Sequence, residues 1–307
     1  MRLSIVSSLY LSQPHLEEFH QRVTSAVRRI TDDYEIVLVN DGSPDQSLGA
    51  AVALFERDQR VCVIDLSRNF GHHKAMMTGL AHAGGDLVFL IDCDLEIAPE
   101  SLADFYAEYA RSMPDVVYGV QVRRSDTLLR RVMAQAFYSM HNMMSGAKLP
   151  RNLTTARLMS RRYVEALVAH QEREVLIAGL WAITGFEQIA IPITKCNKGR
   201  SAYSLRRRVS VLVNSVTSFS TRPLVAMFYL GAVLCIAAIG SVLALVIRWA
   251  FFGRFQPGWP SLILSIWLIG GLIIMCLGIL GVYLGKVFSE VKRRPYTIIR
   301  KVYKRQG

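Results

Sequence analysis

Three carboxylates within five residues, Asp92-Cys93-Asp94-Leu95-Glu96, follow the apolar run Leu87-Val88-Phe89-Leu90-Ile91 and precede Pro99-Glu100, which can open a helix. Carboxylates two apart at a strand end, where the regular alternation of side chains breaks down, can converge on one hard cation. Mg2+ or Mn2+ bound by one or two carboxylates completes its shell with water and phosphate oxygens, so a diphosphate site is the chemistry this spacing suits. The plainer alternative is a solvated acidic turn before a helix. Asn40-Asp41-Gly42-Ser43 holds the equivalent place after an earlier apolar run. An aspartate there can accept hydrogen bonds from a nucleobase or ribose; the alternative is a turn whose Asp and Gly serve backbone geometry.

A second group of residues is cationic. Arg123-Arg124, Arg151, Arg157, Arg161-Arg162, Lys195, Lys198 and Arg200 lie in a region with few acids. Such side chains hold phosphates by charge-assisted hydrogen bonds, and Lys198 and Arg200 in their Gly-containing loop are the better candidates. Arg161-Arg162 reads more simply as a solvated face. His72-His73 has no third ligand at metal spacing and reads as a polar start to a helix. The sequence contains no GxGxxG, no GxxxxGK[ST] and no GxSxG, which disfavours dinucleotide dehydrogenases, P-loop NTPases and serine hydrolases.

The elements that must position these residues are legible upstream. Ser4–Leu9, Glu35–Val39, Val61–Ile64 and Leu87–Ile91 are short, β-branched-rich runs of the kind that fill a sheet buried on both faces. Segments 14–30, 45–57 and 72–83 between them have helical periodicity, so the order βαβαβαβ predicts a parallel sheet with right-handed crossovers. Ser43-Pro44-Asp45-Gln46 reads as an N-cap, a first-position Pro and a capping-box Gln, starting the second helix there. In open α/β sheets the ligand crevice lies beyond the carboxyl ends of the strands. Tyr10, Asp41, Ser67-Arg68-Asn69 and Asp92 to Asp94 all fall at such ends. Further helices are expected over 99–111 and 126–145.

The chain has 307 residues, 51% of them hydrophobic and 20% charged, with a net charge of +12. That composition excludes a disordered chain. Residues 224–247 and 261–285 contain no Asp, Glu, Lys, Arg or His, and each exceeds the roughly 20 residues a helix needs to cross a bilayer. Residues 1–222 hold 26 basic and 23 acidic side chains, a balance of +3, whereas 286–307 carry eight Lys/Arg against one acid. The positive-inside bias then places both termini in the cytoplasm and the link between spans outside. Anionic lipid explains the basic tail better than nucleic acid does, and no nucleic-acid partner is expected. Five cysteines without CxxC spacing read as reduced thiols. The expected organisation is a cytoplasmic catalytic domain over 1–204, an interfacial amphipathic helix over 205–222, a two-helix transmembrane hairpin over 223–286 and a basic cytoplasmic tail over 287–307, at the inner (plasma) membrane.

Val39-Asn40-Asp41-Gly42-Ser43-Pro44-Asp45, Ser67-Arg68-Asn69-Phe70-Gly71, Asp92-Cys93-Asp94-Leu95-Glu96 and Arg157-Leu158-Met159-Ser160-Arg161-Arg162, followed by two apolar segments, resemble the family-2 polyprenyl-phosphate glycosyltransferases. That family includes dolichyl-phosphate mannose synthases and the bactoprenol glucosyl transferases of O-antigen modification. The resemblance implies an α/β GT-A-type catalytic domain with a mostly parallel sheet. It implies a nucleotide-sugar donor, expected to be a UDP-sugar, bound by Tyr10, Asp41, Asp92 and Lys198, with Mg2+ or Mn2+ held by Asp92, Asp94 and Glu96. It further implies Asp94, Arg123 and Arg200 as catalytic residues, with Arg123, Arg200 and Ser201 at the phosphate of a polyprenyl acceptor, and a homotetramer. Two departures stand out. The family's Pro-Val-Tyr-Asn-Glu after the first strand is here Ser8-Leu9-Tyr10-Leu11-Ser12, and the Gly-Asp-Phe that precedes Arg-Leu-Met in many members is Thr154-Thr155-Ala156. The rival readings are a processive polysaccharide synthase, whose Gln-x-x-Arg-Trp motif is missing here, and a non-enzymatic membrane scaffold built on a degenerate transferase fold.

Overall fold

The computed structural model describes residues 1–121, 153–172, 177–195 and 258–305, together with single positions between 224 and 251. The chain divides into two units: 1–138, 147–203 and 294–307 form one, and 139–146 with 204–293 form the other.

The first unit is built on β1 (Leu3–Leu9), α1 (Gln13–Val27), β2 (Tyr34–Asn40), α2 (Ser47–Arg57), β3 (Val61–Leu66), α3 (His72–His82) and β4 (Leu87–Leu90). These are followed by a 3-10 turn at Pro99–Ser101, α4 (Leu102–Ser112), β5 (Val116–Gln121), β6 (Leu153–Ser160), α5 (Arg161–Val168), α6 (Ile177–Ile183) and β7 (Gln188–Ile193). The strands form one sheet in the order β7-β5-β6-β4-β1-β2-β3-β8, in which β8 is Ile299–Tyr303. β1 pairs in parallel with β2 and β4, and β2 with β3, as the alternating pattern predicts. β6 runs antiparallel to both β4 and β5, and β5 pairs in parallel with β7, so the sheet is mostly rather than wholly parallel.

Both faces of the central strands are covered, which is why β1, β2 and β3 are buried at every position. Leu3, Ile5 and Leu9 face a layer containing Phe19 of α1, Leu54 of α2 and Phe105 of α4. Val6, Val37, Val39, Val88 and Leu90 face Ala75, Met76 and Leu80 of α3 and Tyr163 and Val164 of α5. α3 lies unusually close to the sheet, because a Cβ at Gly79 would stand 2.5 Å from Val6 Cγ1. Burial of apolar surface from two sides, about 25 cal/mol per Å2 removed from water, drives this layering.

Two details differ from the sequence expectation. α2 starts at Ser47, not at Ser43, and Gln46 makes no side-chain cap. Asp45 Oδ1 instead accepts the Ser47 backbone N–H at 3.0 Å and the Ser43 hydroxyl at 2.5 Å, a local Asx turn that competes with the helix for those residues. The stretch 287–307, read from charge as a tail, contributes β8 at the edge of the sheet, antiparallel to β3 with Val63 opposite Tyr303.

In the second unit, α7 (Trp259–Val291) is 33 residues long. Among the described residues its portion Ile269–Val291 is long and apolar enough to cross a membrane: 23 residues at 1.5 Å each cover about 35 Å. Most of 224–247, the expected first span, lies outside the described residues, as do 126–145 and the expected interfacial helix over 205–222.

Candidate active site

The parallel strands end together, and their ends carry the polar residues singled out in the sequence. Tyr10 follows β1 with its side chain half exposed, its backbone N–H donating to Ser12 Oγ at 3.0 Å. Leu11, next in the chain, takes a positive φ of 54°. Asp41 follows β2, is 2% exposed, and accepts the backbone N–H groups of Phe70 at 2.7 Å and Gly71 at 3.0 Å, one on each carboxylate oxygen. Burial pushes its pKa up, and these two hydrogen bonds only partly oppose the rise. Asp41 therefore ties the end of β2 to the loop that precedes α3, leaving roughly two of a carboxylate's four lone-pair sites open. Gly42 makes this closeness possible: its φ is +58°, and a Cβ there would lie 2.4 Å from Arg68 C and Asn69 N.

Asp92 and Asp94 lie just beyond β4. The turn between them holds Leu95 in a left-handed conformation, φ +58°, where a branched side chain is rarely found. Asp94 Oδ1 accepts the Glu96 N–H at 2.9 Å, and the Asp94 side chain is exposed. Partial desolvation of its carboxyl by the surrounding turn, with the neighbouring Asp92 and Glu96 charges, pushes the Asp94 pKa up against the Glu96 N–H and the Lys195 charge. Asp92 behaves oppositely. Burial alone would raise it, but His72 beside it and the Thr155 hydroxyl outweigh that effect and hold it below the ordinary carboxylate value. Cys93 between them is buried, and burial together with the two flanking carboxylates pushes its thiol up to about 12.

Glu96, the third expected metal ligand, is taken by Lys195, whose Nζ is 2.9 Å from Glu96 Oε2. No cluster of three or more metal-ligating side chains forms among the described residues. Asp92 and Asp94 nonetheless fit a hard divalent cation. Asp92 Oδ1 is buried and lacks an aligned hydrogen bond among the described residues, and both donors are carboxylate oxygens of the kind Mg2+ and Mn2+ accept while keeping water and phosphate as further ligands.

His72 is the residue the sequence undervalued. It opens α3 and its Nε2 lies 3.2 Å from Asp92 Oδ1, while Nδ1 is 2.8 Å from Ser8 Oγ. Period-two alternation could have flagged Ser8 and Asp92 as neighbours on one face, since the pairing of Val6 with Leu90 carries forward to them. Nothing local marks the histidine itself.

The cationic residues divide. Arg162 forms a bidentate pair with buried Asp115, with one contact at 2.9 Å; Arg161 donates to the Ala83 carbonyl at 2.7 Å. Both are structural. Arg157 is fully buried with its guanidinium 3.0 Å from the centroid of the Trp181 ring, and burial pulls its pKa down to about 9. Arg123, Lys198, Arg200 and Ser201 lie outside the described residues.

Residues 4–168 match Glycosyl transferase family 2. The chain belongs to that family. This transferase is 51% identical over 303 residues to a Mycobacterium tuberculosis (strain CDC 1551 / Oshkosh) protein described among glycosyltransferases, covering 99% of this chain and 89% of the relative. It is 31% identical over 308 residues to the bactoprenol glucosyl transferase of Shigella phage SfII, covering 99% of each. The fold is similar to that of the Pyrobaculum calidifontis mannosyltransferase PcManGT, solved with GDP-Man and Mn2+, at a TM-score of 0.51 and 18% identity over 95% of this chain and 86% of that one. The transferase thus has a GT-A-like α/β fold.

Proposed function

We propose that this family-2 glycosyltransferase moves a sugar from a nucleotide-sugar, with a divalent cation, onto a polyprenyl phosphate at the cytoplasmic face of the membrane, with inversion at the anomeric carbon. The observation that carries the reading is the convergence of Asp41, His72, Asp92 and Asp94 at the carboxyl ends of β2 and β4 and the start of α3, in a chain whose full length aligns with a bactoprenol glucosyl transferase. The apolar helix α7 supports a membrane-held acceptor.

In this reading Tyr10 borders the nucleoside, and Asp41 reaches it through the lone pairs its two amide bonds leave open. Asp92 and Asp94 would hold Mg2+ or Mn2+, which when bound neutralises charge on the leaving diphosphate. Arg123 and Arg200 would meet the donor and acceptor phosphates, with Lys198 and Ser201 beside them. A lipid phosphate oxygen is already anionic near pH 7, whereas a sugar hydroxyl would need a general base. Thr155, standing where a carboxylate occurs in related proteins, is thus compatible with the chemistry. The chain's contribution is alignment of the two substrates and charge stabilisation of the leaving group, and one in-line displacement inverts the anomeric centre.

The test is to incubate the purified protein with a panel of radiolabelled nucleotide-sugars, Mg2+ or Mn2+, and undecaprenyl phosphate. Label in a short organic-soluble product is expected. Label in long polymer would establish a processive synthase, and no transfer with any donor would establish a non-catalytic scaffold.

A further inference from the structure

Ser8, Asp92 and Thr155 form a row across three strands. Val6 pairs with Leu90 and, from the other side, Leu90 pairs with Arg157. Continuing both registers by two residues brings Ser8 and Thr155 beside Asp92, on the face of the sheet that Val6 and Leu90 share with α3. His72 stands over this row as the first residue of α3.

The placement of His72 is over-determined. Gly71 before it has φ +102° and starts the helix, its carbonyl accepting from the Lys74 and Ala75 N–H groups. Its own N–H is held by Asp41. Gly79, about two turns further along α3, allows the helix its close approach to Val6. The imidazole then has both nitrogens occupied, Nδ1 by Ser8 Oγ at 2.8 Å and Nε2 by Asp92 Oδ1 at 3.2 Å. The ring is thus held from two sides.

We infer that His72 is a positioning residue for the cation site: fixed through Nδ1 by Ser8, it holds the Asp92 carboxylate in the orientation that receives the diphosphate-bound cation. The inference rests on the proposed role of Asp92 and Asp94 as cation ligands. Ser8 can donate to or accept from Nδ1, and Nε2–H faces Asp92 both in the cation and in the neutral tautomer whose Nδ1 accepts from Ser8, so the role does not depend on the ring's charge. The off-line approach to Oδ1, which leaves that oxygen without an aligned bond among the described residues, keeps a lone pair available for the cation. Partners that orient metal-binding carboxylates and imidazoles typically change metal affinity by about 10- to 100-fold when removed.

The experiment titrates Mn2+ alone into the full-length protein in detergent, reading free Mn2+ by electron paramagnetic resonance, with thermal unfolding of the metal-free protein as a parallel readout. His72→Ala is expected to raise the Mn2+ Kd about 10- to 100-fold, with Ser8→Ala intermediate and His72→Gln, which restores an N–H donor, recovering part of the loss. A residue that merely supports the fold would shift the unfolding temperature and leave the Kd of the folded protein alone. Unchanged Mn2+ affinity in folded His72→Ala overturns the inference. Tighter binding overturns it too, because it would mean that His72 acts as a positive charge competing with the cation. If His72→Ala does not fold, His72→Gln and Ser8→Ala carry the same comparison. Asp92→Asn and Asp94→Asn separate this outcome from failure of the underlying reading: wild-type affinity in both, or no Mn2+ uptake by the wild type, overturns the ligand assignment and the inference with it.

Discussion

Asp92 and Asp94 stand two residues apart, yet their surroundings pull their carboxyl groups in opposite directions. Desolvation penalises the charge of both, but Asp92 has His72 and the Thr155 hydroxyl as partners, whereas Asp94 has one backbone N–H and the Lys195 charge against the repulsion of two neighbouring acids. A cation would relieve that repulsion most at Asp94. Asp94→Asn should therefore lower turnover by at least about two decades, the range for losing a group that stabilises developing charge, with the circular-dichroism spectrum unchanged; near-normal turnover would remove Asp94 from the cation site. Gly42 makes a different demand. A Cβ there meets the backbone at 2.4 Å, and φ is +58°. Gly42→Ala should cost at least about 1–3 kcal/mol in chemical denaturation and weaken nucleotide binding, because the displaced segment carries the amides that hold Asp41. Gly42→Asn should not rescue it, although asparagine tolerates this φ: the clash is with main chain and remains.

At the scale of elements, the order β1 to β4 and its intervening helices was readable because a parallel sheet covered on both faces demands unbroken apolar runs. β8 was not readable. Ile299-Arg300-Lys301-Val302-Tyr303 is an edge strand pairing on one side only, so its arginine and lysine can stay in water and its pattern resembles a solvated tail. Ser43 misleads as the start of α2 because Asp45 supplies the hydrogen bond to the helix amide. His72 reads in the sequence only as a polar start to a helix, because its partners Ser8 of β1 and Asp92 just beyond β4 are far away in sequence. Another long-range tie joins the opposite ends of these strands. Buried Glu35 at the start of β2 accepts from Ser4 Oγ at 2.6 Å, from Gly84 N–H at 2.5 Å and from Arg2 at 2.6 Å. Burial would raise its pKa, but those donors and the Arg2 charge outweigh it, so the folded value lies below the ordinary 4.5. A lowered carboxylate pKa contributes stability that is present above the unfolded value and is lost as pH falls through the folded one. Glu35→Gln should thus destabilise by about 1.5–3 kcal/mol at pH 7, the worth of hydrogen bonds to a charged group. In denaturant melts the gap to wild type should close below about pH 4.5; a gap independent of pH would mean that the ionised carboxylate is not the stabilising species.

For the whole molecule, the decisive constraint is chain connectivity. β8 pairs with β3, so residues 299–303 belong to the same unit as the sheet from which the chain departs after residue 203. Val291 ends α7 and Ile299 begins β8; the eight steps between them reach at most about 29 Å when fully extended. That is no more than the roughly 30 Å of a bilayer core, and the connection holds Lys292, Arg293, Arg294 and Pro295, which neither enter hydrocarbon cheaply nor continue a regular element. The connection cannot recross. If α7 spans, its carboxyl end lies on the catalytic side, and the chain must have crossed an odd number of times before reaching Trp259. The uncharged stretch 224–247 is the segment able to do so. The expected topology is a hairpin with the catalytic unit and both termini inside, favoured also by the basic residues that flank the returning end. Single cysteines placed in a cysteine-depleted full-length protein should be labelled by a membrane-impermeant maleimide from outside within the Gly253–Gly258 link, and not at Arg2 or Lys304. Labelling at Lys304 but not in the link would invert the orientation, and labelling at Arg2 and Lys304 on opposite sides would break the pairing of β8 with β3 on which the count of crossings depends.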